Sequence, residues 1–360
     1  MNLIKEATLS IRKKRPFFPS DHCCDVFRSG DLLEIGVLRH RCSRDQQGSC
    51  MMCDYGMYPD THSIEAYIRE IDQILMNLDD TINILLLCTN GSFLDERQIC
   101  PNLFQTILER AAQCKVPFIE VETHYQDVTG EKLELLRHLL PNKGITIELG
   151  LETALVKYQE KIIMKGIDLK KFERVVAFIQ NFGFDVDINL MVGLPFLSPK
   201  EQLEDALNSI RWCFDHRARP VLFPVNIKPY TLLMEAYRFG FYRPVSQWML
   251  PLILDELPIG WLEQIVVAWY GNREEIYDAE GERAVFPRGC PKCSVAIRNY
   301  LDNFAAALDG RERKKMLSRL LTETDCQCLE QAKQELLKES GETFEERYAS
   351  FLSWLEKQKF

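Results

Sequence analysis

Between about residues 31 and 230, short apolar runs alternate with longer runs whose apolar residues recur at helical spacing, and this alternation constrains the fold most. A buried strand followed by a helix with one apolar face, repeated, builds a parallel sheet covered by helices. Six such βα units can be counted. Strands are expected at Leu32–Leu38, Ile82–Cys88, Phe118–Glu122, Ile145–Leu151, Val186–Val192 and Val221–Ile227, with helices beginning near Ser63, Asn102, Glu131, Leu169 and Pro199. Pro101 suits a first helical turn, Asn181-Phe182-Gly183 a glycine stop, and Ser198-Pro199 the next start.

Six units are too few for a closed eight-stranded barrel. The expected fold is therefore α/β: an N-terminal segment (1–30), a partial (β/α)6 TIM-like barrel (31–230) and a mixed, mainly helical C-terminal extension (231–360). Beyond residue 231 the chain turns aromatic and proline-marked (Tyr237, Tyr242, Pro244, Trp248, Pro251, Pro258). One more strand-like run, Ile265–Tyr270, precedes two cysteine pairs and charged helices. Ligand chemistry in such a fold gathers at the C-terminal ends of the strands.

The net charge of -9 argues against a protein that coats nucleic acid by bulk electrostatics. Neither a signal-peptide pattern nor an apolar stretch of about 20 residues occurs, so no membrane partner and a cytoplasmic location are expected. In that setting the 13 cysteines read as thiols, metal ligands or redox groups rather than a disulfide framework.

Three of them lie in one loop after the first strand: Cys42, Cys50 and Cys53, within Arg41-Cys42-Ser43-Arg44-Asp45-Gln46-Gln47-Gly48-Ser49-Cys50-Met51-Met52-Cys53-Asp54-Tyr55. Three thiolates can hold three irons of a 4Fe-4S cube and leave the fourth open to a chelating cofactor. A zinc site with a fourth ligand from elsewhere is the alternative.

The loop resembles that of the radical-SAM clade containing the elongator-type enzymes and the archaeosine-forming lyase. Its first gap is wider than the common Cys-x3-Cys-x2-Cys, and an aromatic, Tyr55, stands two residues after the last cysteine. Met52 departs from the aromatic many members carry before that cysteine. Through about residue 230 the resemblance continues: Thr89-Asn90-Gly91-Ser92-Phe93-Leu94-Asp95 is similar to the clade's segment facing the methionyl end of S-adenosylmethionine. Glu122, Glu148–Thr153, Lys165-Gly166 and Leu190–Phe196 are similar to its Glu-bearing strands, its Lys-Gly turn and its fifth strand. The resemblance implies a 4Fe-4S cluster, S-adenosylmethionine and an electron donor such as flavodoxin or ferredoxin. It also implies reductive cleavage of the sulfonium to methionine and a 5'-deoxyadenosyl radical that abstracts a substrate hydrogen.

Such a cofactor needs a polar cradle for its amino acid part, acceptors for ribose hydroxyls and an apolar slot for adenine. Asn90, Gly91 and Ser92 can supply the first. Glu122, Glu148 and Glu152 are candidates for the ribose or ammonium group, with Lys165 as a partner for a carboxylate. Met191, Val192, Gly193 and Leu194 on the following strand suit an adenine slot, Asn189 beside them is a further cofactor-binding candidate, and Tyr55 is a candidate for a flank of the cluster.

Cys290-Pro291-Lys292-Cys293 and Cys326-Gln327-Cys328 form a second constellation. It reads as a zinc site, an auxiliary iron-sulfur cluster, or unmetallated thiols. For function, the leading expectation is radical chemistry on a small-molecule or peptide biosynthetic substrate. The alternatives are modification of a tRNA nucleoside, transfer of the cofactor's aminocarboxypropyl group, and a non-catalytic zinc-stabilised binding protein. The absence of an appended RNA-binding module favours the first over tRNA.

Overall fold

Eight strands join in sequence order into one sheet: β1 (Cys24–Ser29), β2 (Leu32–Val37), β3 (Ile84–Thr89), β4 (Phe118–Thr123), β5 (Gly144–Glu152), β6 (Asp185–Val192), β7 (Arg219–Pro224) and β8 (Val266–Val267). The computed structural model describes residues 2–14, 22–38, 40–54, 62–268 and 284–358. All neighbours from β2 onward are parallel; β1 alone runs antiparallel, pairing Cys24 with Val37 and Ser29 with Leu32. The partial barrel expected from the sequence is thus present, and its six strands are β2 to β7.

The sheet is wider than six strands because each edge gains one. Strand β1, an edge strand, is exposed along most of its length, so it carries no apolar periodicity to betray it. Strand β8 uses two residues of the expected Ile265–Tyr270 run; residues 269 and 270 lie outside the described residues.

Helices Ile64–Met76, Pro101–Gln113, Gly130–Leu139, Leu169–Asn181 and Pro199–Asp215 follow the strands at the expected starts. Their first turns are fixed locally: Ser63, Thr129, Asp168 and Ser198 each accept a backbone N–H with their side chains, and Ser198 and Glu201 complete a capping box.

Two apolar cores result. One lies between the sheet and its helices and runs on into the extension through Trp248, Ile297, Phe304 and Leu317. The other joins Ile4 and Ile11 of the N-terminal helix (Leu3–Arg12), the cysteine loop at Cys50, Met51 and Met52, and Phe344, Phe351 and Leu355 of the C-terminal helix (Phe344–Glu356). No described helix is long and apolar enough to cross a membrane.

Candidate functional site at the C-terminal rim of the sheet

The loop after β2 is held by groups remote in sequence. The Arg12 guanidinium donates to the carbonyls of Asp45 (2.7 Å), Ser49 (3.1 Å), Cys50 (2.9 Å) and Cys53 (2.9 Å), and pairs with the buried Asp45 carboxylate at 2.6 Å. A planar donor fork suits several carbonyls at once, which a lysine could not match. From the other side, a single π-helical turn at Gln159–Ile163 presents its end to the loop. Cys50 N–H donates to the Ile163 carbonyl (2.9 Å) and Ser49 Oγ to that of Met164 (2.8 Å). Lys228 closes the loop's end by donating to Asp54 at 2.6 Å. Cys50 itself takes a left-handed backbone, φ 54°, a strained conformation that these contacts must sustain.

So anchored, Cys42, Cys50 and Cys53 all line one cavity of about 460 Å³. Burial pushes the Cys42 thiol up, the Cys50 thiol to about 12, and that of Cys53 well above its ordinary range. Thiols so disfavoured as free anions are ligands that a cationic centre would deprotonate on binding. Among the described residues these three do not converge as tightly as ligands of a single ion, whereas the Cys290 group does. Thiols that each take a different iron of a cube stand farther apart than thiols sharing one ion, so the donor set fits a 4Fe-4S cluster better than zinc.

Glu122, Glu148, Glu152, Lys165, Asn189, Met191, Asn90 and Gly91 line the same cavity. Gly91 is required there: a Cβ at that position would meet the Gln98 amide at 2.7 Å and Cys42 Sγ at 3.0 Å. Asn90 donates to the His40 carbonyl (3.2 Å). Ser92 and Gly193 are not among the residues of the cavity wall. Ser92 Oγ bonds Thr123 Oγ1 (2.7 Å) and accepts from His124 N–H (3.1 Å), so its hydroxyl shapes the turn. Gly193, with φ +93°, faces Val245, whose side chain stands 2.7 Å from where a Cβ would be. The small residue there lets Val245 pack against the backbone. Tyr55 lies outside the described residues.

The carboxylates differ sharply. A register shift between Gly150 and Glu152, with φ 68° at Glu152, turns the end of β5 so that Glu152 points at Lys165, and the two form a close ion pair. Burial works against charge on Lys165, but Glu152 and the neighbouring thiols outweigh it and hold the ammonium form. Glu148 sits in a row formed by strand register, Glu122–Glu148–Asp187–Arg219. Burial, reinforced by Glu122, Glu120 and Asp187, drives its carboxyl well above the usual range. Arg219 neutralises the far end, binding Asp187 at 2.7 Å and Glu120 at 3.0 Å.

Several residues of the site escape sequence reasoning. His124 Nε2 lies 3.9 Å from Cys42 Sγ, and burial, with Lys165 and Arg44 nearby, pushes its pKa down to about 3, so the ring is neutral. Its place two residues after Glu122, just past the end of β4, was a usable signal. Asn189 Oδ1 and Asn226 Oδ1 are buried without a hydrogen-bond partner on the cavity wall, and Asn226 and Lys228 follow β7 as ordinary loop residues. Orphaned acceptors of this kind await a donor from a ligand, and ribose hydroxyls have the chemistry to supply it.

A curled parallel sheet with a three-thiol loop at its C-terminal rim and a cavity beneath is the arrangement that the radical-SAM resemblance of the sequence leads one to expect. The particular proteins it resembles include archaeosine synthase subunit beta of Methanosarcina acetivorans, 25% identical over 80% of this chain and 80% of that one. The Thermococcus kodakarensis protein of the same name is 27% identical over 60% of this chain and 67% of that one. Elp3 of the archaeon Methanocaldococcus infernus superposes with a TM-score of 0.45 at 13% identity, covering 67% of this chain and 57% of that structure. No family model matches the chain.

Proposed function

We propose that this protein is a radical-SAM enzyme that binds a 4Fe-4S cluster through Cys42, Cys50 and Cys53, holds S-adenosylmethionine against it, and starts radical chemistry on a small-molecule or peptide substrate. The observation that carries the reading is the meeting of the strapped thiol loop with Asn90, Gly91, Glu148, Glu152, Lys165 and Asn189 on one cavity wall. When bound, cluster and cofactor supply reductive cleavage of the sulfonium and abstraction of a substrate hydrogen.

The chain's own residues do the rest. Arg12 and the π-turn hold the loop's geometry, Gly91 lets the backbone approach the cluster, and Glu152 keeps Lys165 charged as a partner for the cofactor's carboxylate. Asn189 and Asn226 offer acceptors to ribose hydroxyls. The apolar second core around Met51 and Met52 keeps water from the cluster's flank. A flavodoxin or ferredoxin would deliver the electron.

One observation favours a second reading. Two curated relatives named archaeosine synthase subunit beta match 80% and 60% of the chain, which supports a nucleoside substrate carried on tRNA.

Anaerobic reconstitution with iron and sulfide, reduction with dithionite and chromatography of the products test the proposal. The expected product of S-adenosylmethionine is 5'-deoxyadenosine, lost in a Cys42→Ala, Cys50→Ala, Cys53→Ala variant. Methylthioadenosine in its place would mean aminocarboxypropyl transfer, and an intact cofactor bound to no cluster would overturn the reading.

A further inference from the structure

The second set of cysteines is remote from the cavity and is absorbed by none of the chemistry above. Cys290 and Cys293 stand at the start of helix Pro291–Ala306, Cys326 and Cys328 at the start of helix Gln327–Leu337, and 32 residues of chain separate the pairs. Their four sulfur atoms all lie within 4.8 Å of one another. Cys290 Sγ is 3.6 Å from that of Cys293 and 3.3 Å from that of Cys326.

From these positions we infer that the four thiolates bind one zinc ion in a closed tetrahedral site that clips two helices of the extension together. A zinc–sulfur bond of about 2.3 Å sets the edge of a regular sulfur tetrahedron at about 3.8 Å. The observed separations need shift by only a few tenths of an ångström. They are too long for a disulfide, where the sulfurs stand about 2.05 Å apart. They are too short for an auxiliary 4Fe-4S cluster, whose four thiolates each take a different iron at a different corner of the cube. Geometry therefore separates zinc from a second cluster, which the sequence leaves open.

The surroundings suit a site that carries net negative charge once filled. Cys290 and Cys326 occupy the N-cap positions of helices 16 and 11 residues long, so both thiolates face the positive ends of helix dipoles. The Cys290 N–H donates to Cys293 Sγ (3.2 Å) and the Cys328 N–H to Cys326 Sγ (3.4 Å), and Lys292 ties the knuckles by donating to the Asp325 carbonyl at 2.7 Å. All four positions of the ion are filled by sulfur, so the role is structural.

The clip also has something to hold. Just before Cys290, Val285 pairs with Ile227 by two backbone hydrogen bonds (2.9 and 2.8 Å), and Arg288 binds Glu335 of the second helix at 3.0 Å. Ile227 sits between Asn226 and Lys228 of the cavity wall. Zinc at the four cysteines thus braces the strap that fixes this part of the wall.

The test uses the full chain with Cys42, Cys50 and Cys53 replaced by alanine, which removes the other cysteine set, and reads metal by elemental analysis after purification without chelator. One zinc per chain with negligible iron is the expected result, falling to none in the additional Cys326→Ser, Cys328→Ser variant. Because that variant can fail to fold, Co2+ is exchanged for zinc in the parent chain. Intense visible d–d bands that saturate at one equivalent are expected of a tetrahedral all-thiolate site. Stoichiometric iron and sulfide, a Cys290–Cys326 disulfide in peptide mapping, or a metal-free chain that folds and gives no such bands would each overturn the inference. None of these readouts depends on whether the chain cleaves S-adenosylmethionine.

Discussion

Glu148 and Glu152 lie four residues apart on one strand and have different partners. Among the described residues no cation pairs with Glu148; Arg219 is engaged by Asp187 and Glu120, and burial, reinforced by its acidic neighbours, pushes the Glu148 carboxyl well above the usual range. Glu152 is an ion-pair partner whose loss would leave Lys165 charged and buried. Glu148→Gln therefore replaces the group by a near-isostere of its neutral form, and its thermal midpoint should stay close to that of the parent. Glu152→Gln breaks a buried pair and should cost about 3–5 kcal/mol. Thermal unfolding of the metal-free proteins checks the contrast, which fails if the two substitutions cost the same. The sequence marks both residues as candidates because both are carboxylates at a strand end. It does not tell them apart, since the difference comes from a register shift in β5 and from a lysine 13 residues away.

At the scale of elements, helix Pro199–Asp215 docks at the end of β5 through polar contacts that include Thr153 Oγ1 to Asp205 Oδ1 at 2.5 Å and Ala154 N–H to Ser209 Oγ at 2.9 Å. Burial raises the Asp205 pKa to about 7 against the lowering effect of the Thr153 hydrogen bond. A carboxyl raised in the folded state contributes its full stability below its unfolded pKa near 4. It loses that contribution as pH climbs toward 7, beyond which the penalty is constant. Asp205→Asn keeps the shape and is neutral throughout. The variant should match the parent at about pH 4 and exceed it by roughly 2–4 kcal/mol above pH 7. Urea unfolding at pH 4, 6 and 8 measures this, and a pH-independent difference would refute it. Elements of this kind were readable in advance where a periodic apolar face met a cap: the five barrel helices begin where Ser63, Pro101, Ser198 and their counterparts place them. Strand β1 was not readable, because an edge strand exposed on most of its length leaves no apolar alternation. The π-turn at Gln159–Ile163 was not either, since its apolar residues serve the cysteine loop rather than a helix stripe. The cysteine loop itself was legible as a motif, but the groups that hold it, Arg12 above all, come from a segment with no local reason to be near it.

Across the whole molecule, the cysteine loop depends on both ends of the chain. Ile4 and Ile11 from the first helix and Phe344, Phe351 and Leu355 from the last share a core with Cys50, Met51 and Met52, and the Phe351 ring packs tilted against Phe196 with centroids 4.7 Å apart. Arg347 adds a tie, donating to the Phe196 carbonyl at 2.7 Å. The sheet has its own core on its helix-covered side, with Ile119, Ile147, Ile188 and Phe172 fully buried, and needs none of these residues. Removing residues 343–360 should therefore leave the sheet folded while exposing the flank of the loop. Burying each large apolar side chain is worth about 1.5–3 kcal/mol, so losing Phe344, Phe351 and Leu355 withdraws about 5 kcal/mol or more from the loop's local stability. In hydrogen-exchange mass spectrometry, amides of residues 42–54 should then exchange far faster than in the full chain while those of β3 to β6 keep their protection, and iron loaded anaerobically should be lost on gel filtration. If protection in β3 to β6 collapses together with that of the loop, the two cores form one cooperative unit. If neither region changes, the terminal helix is a cover with no part in holding the thiols.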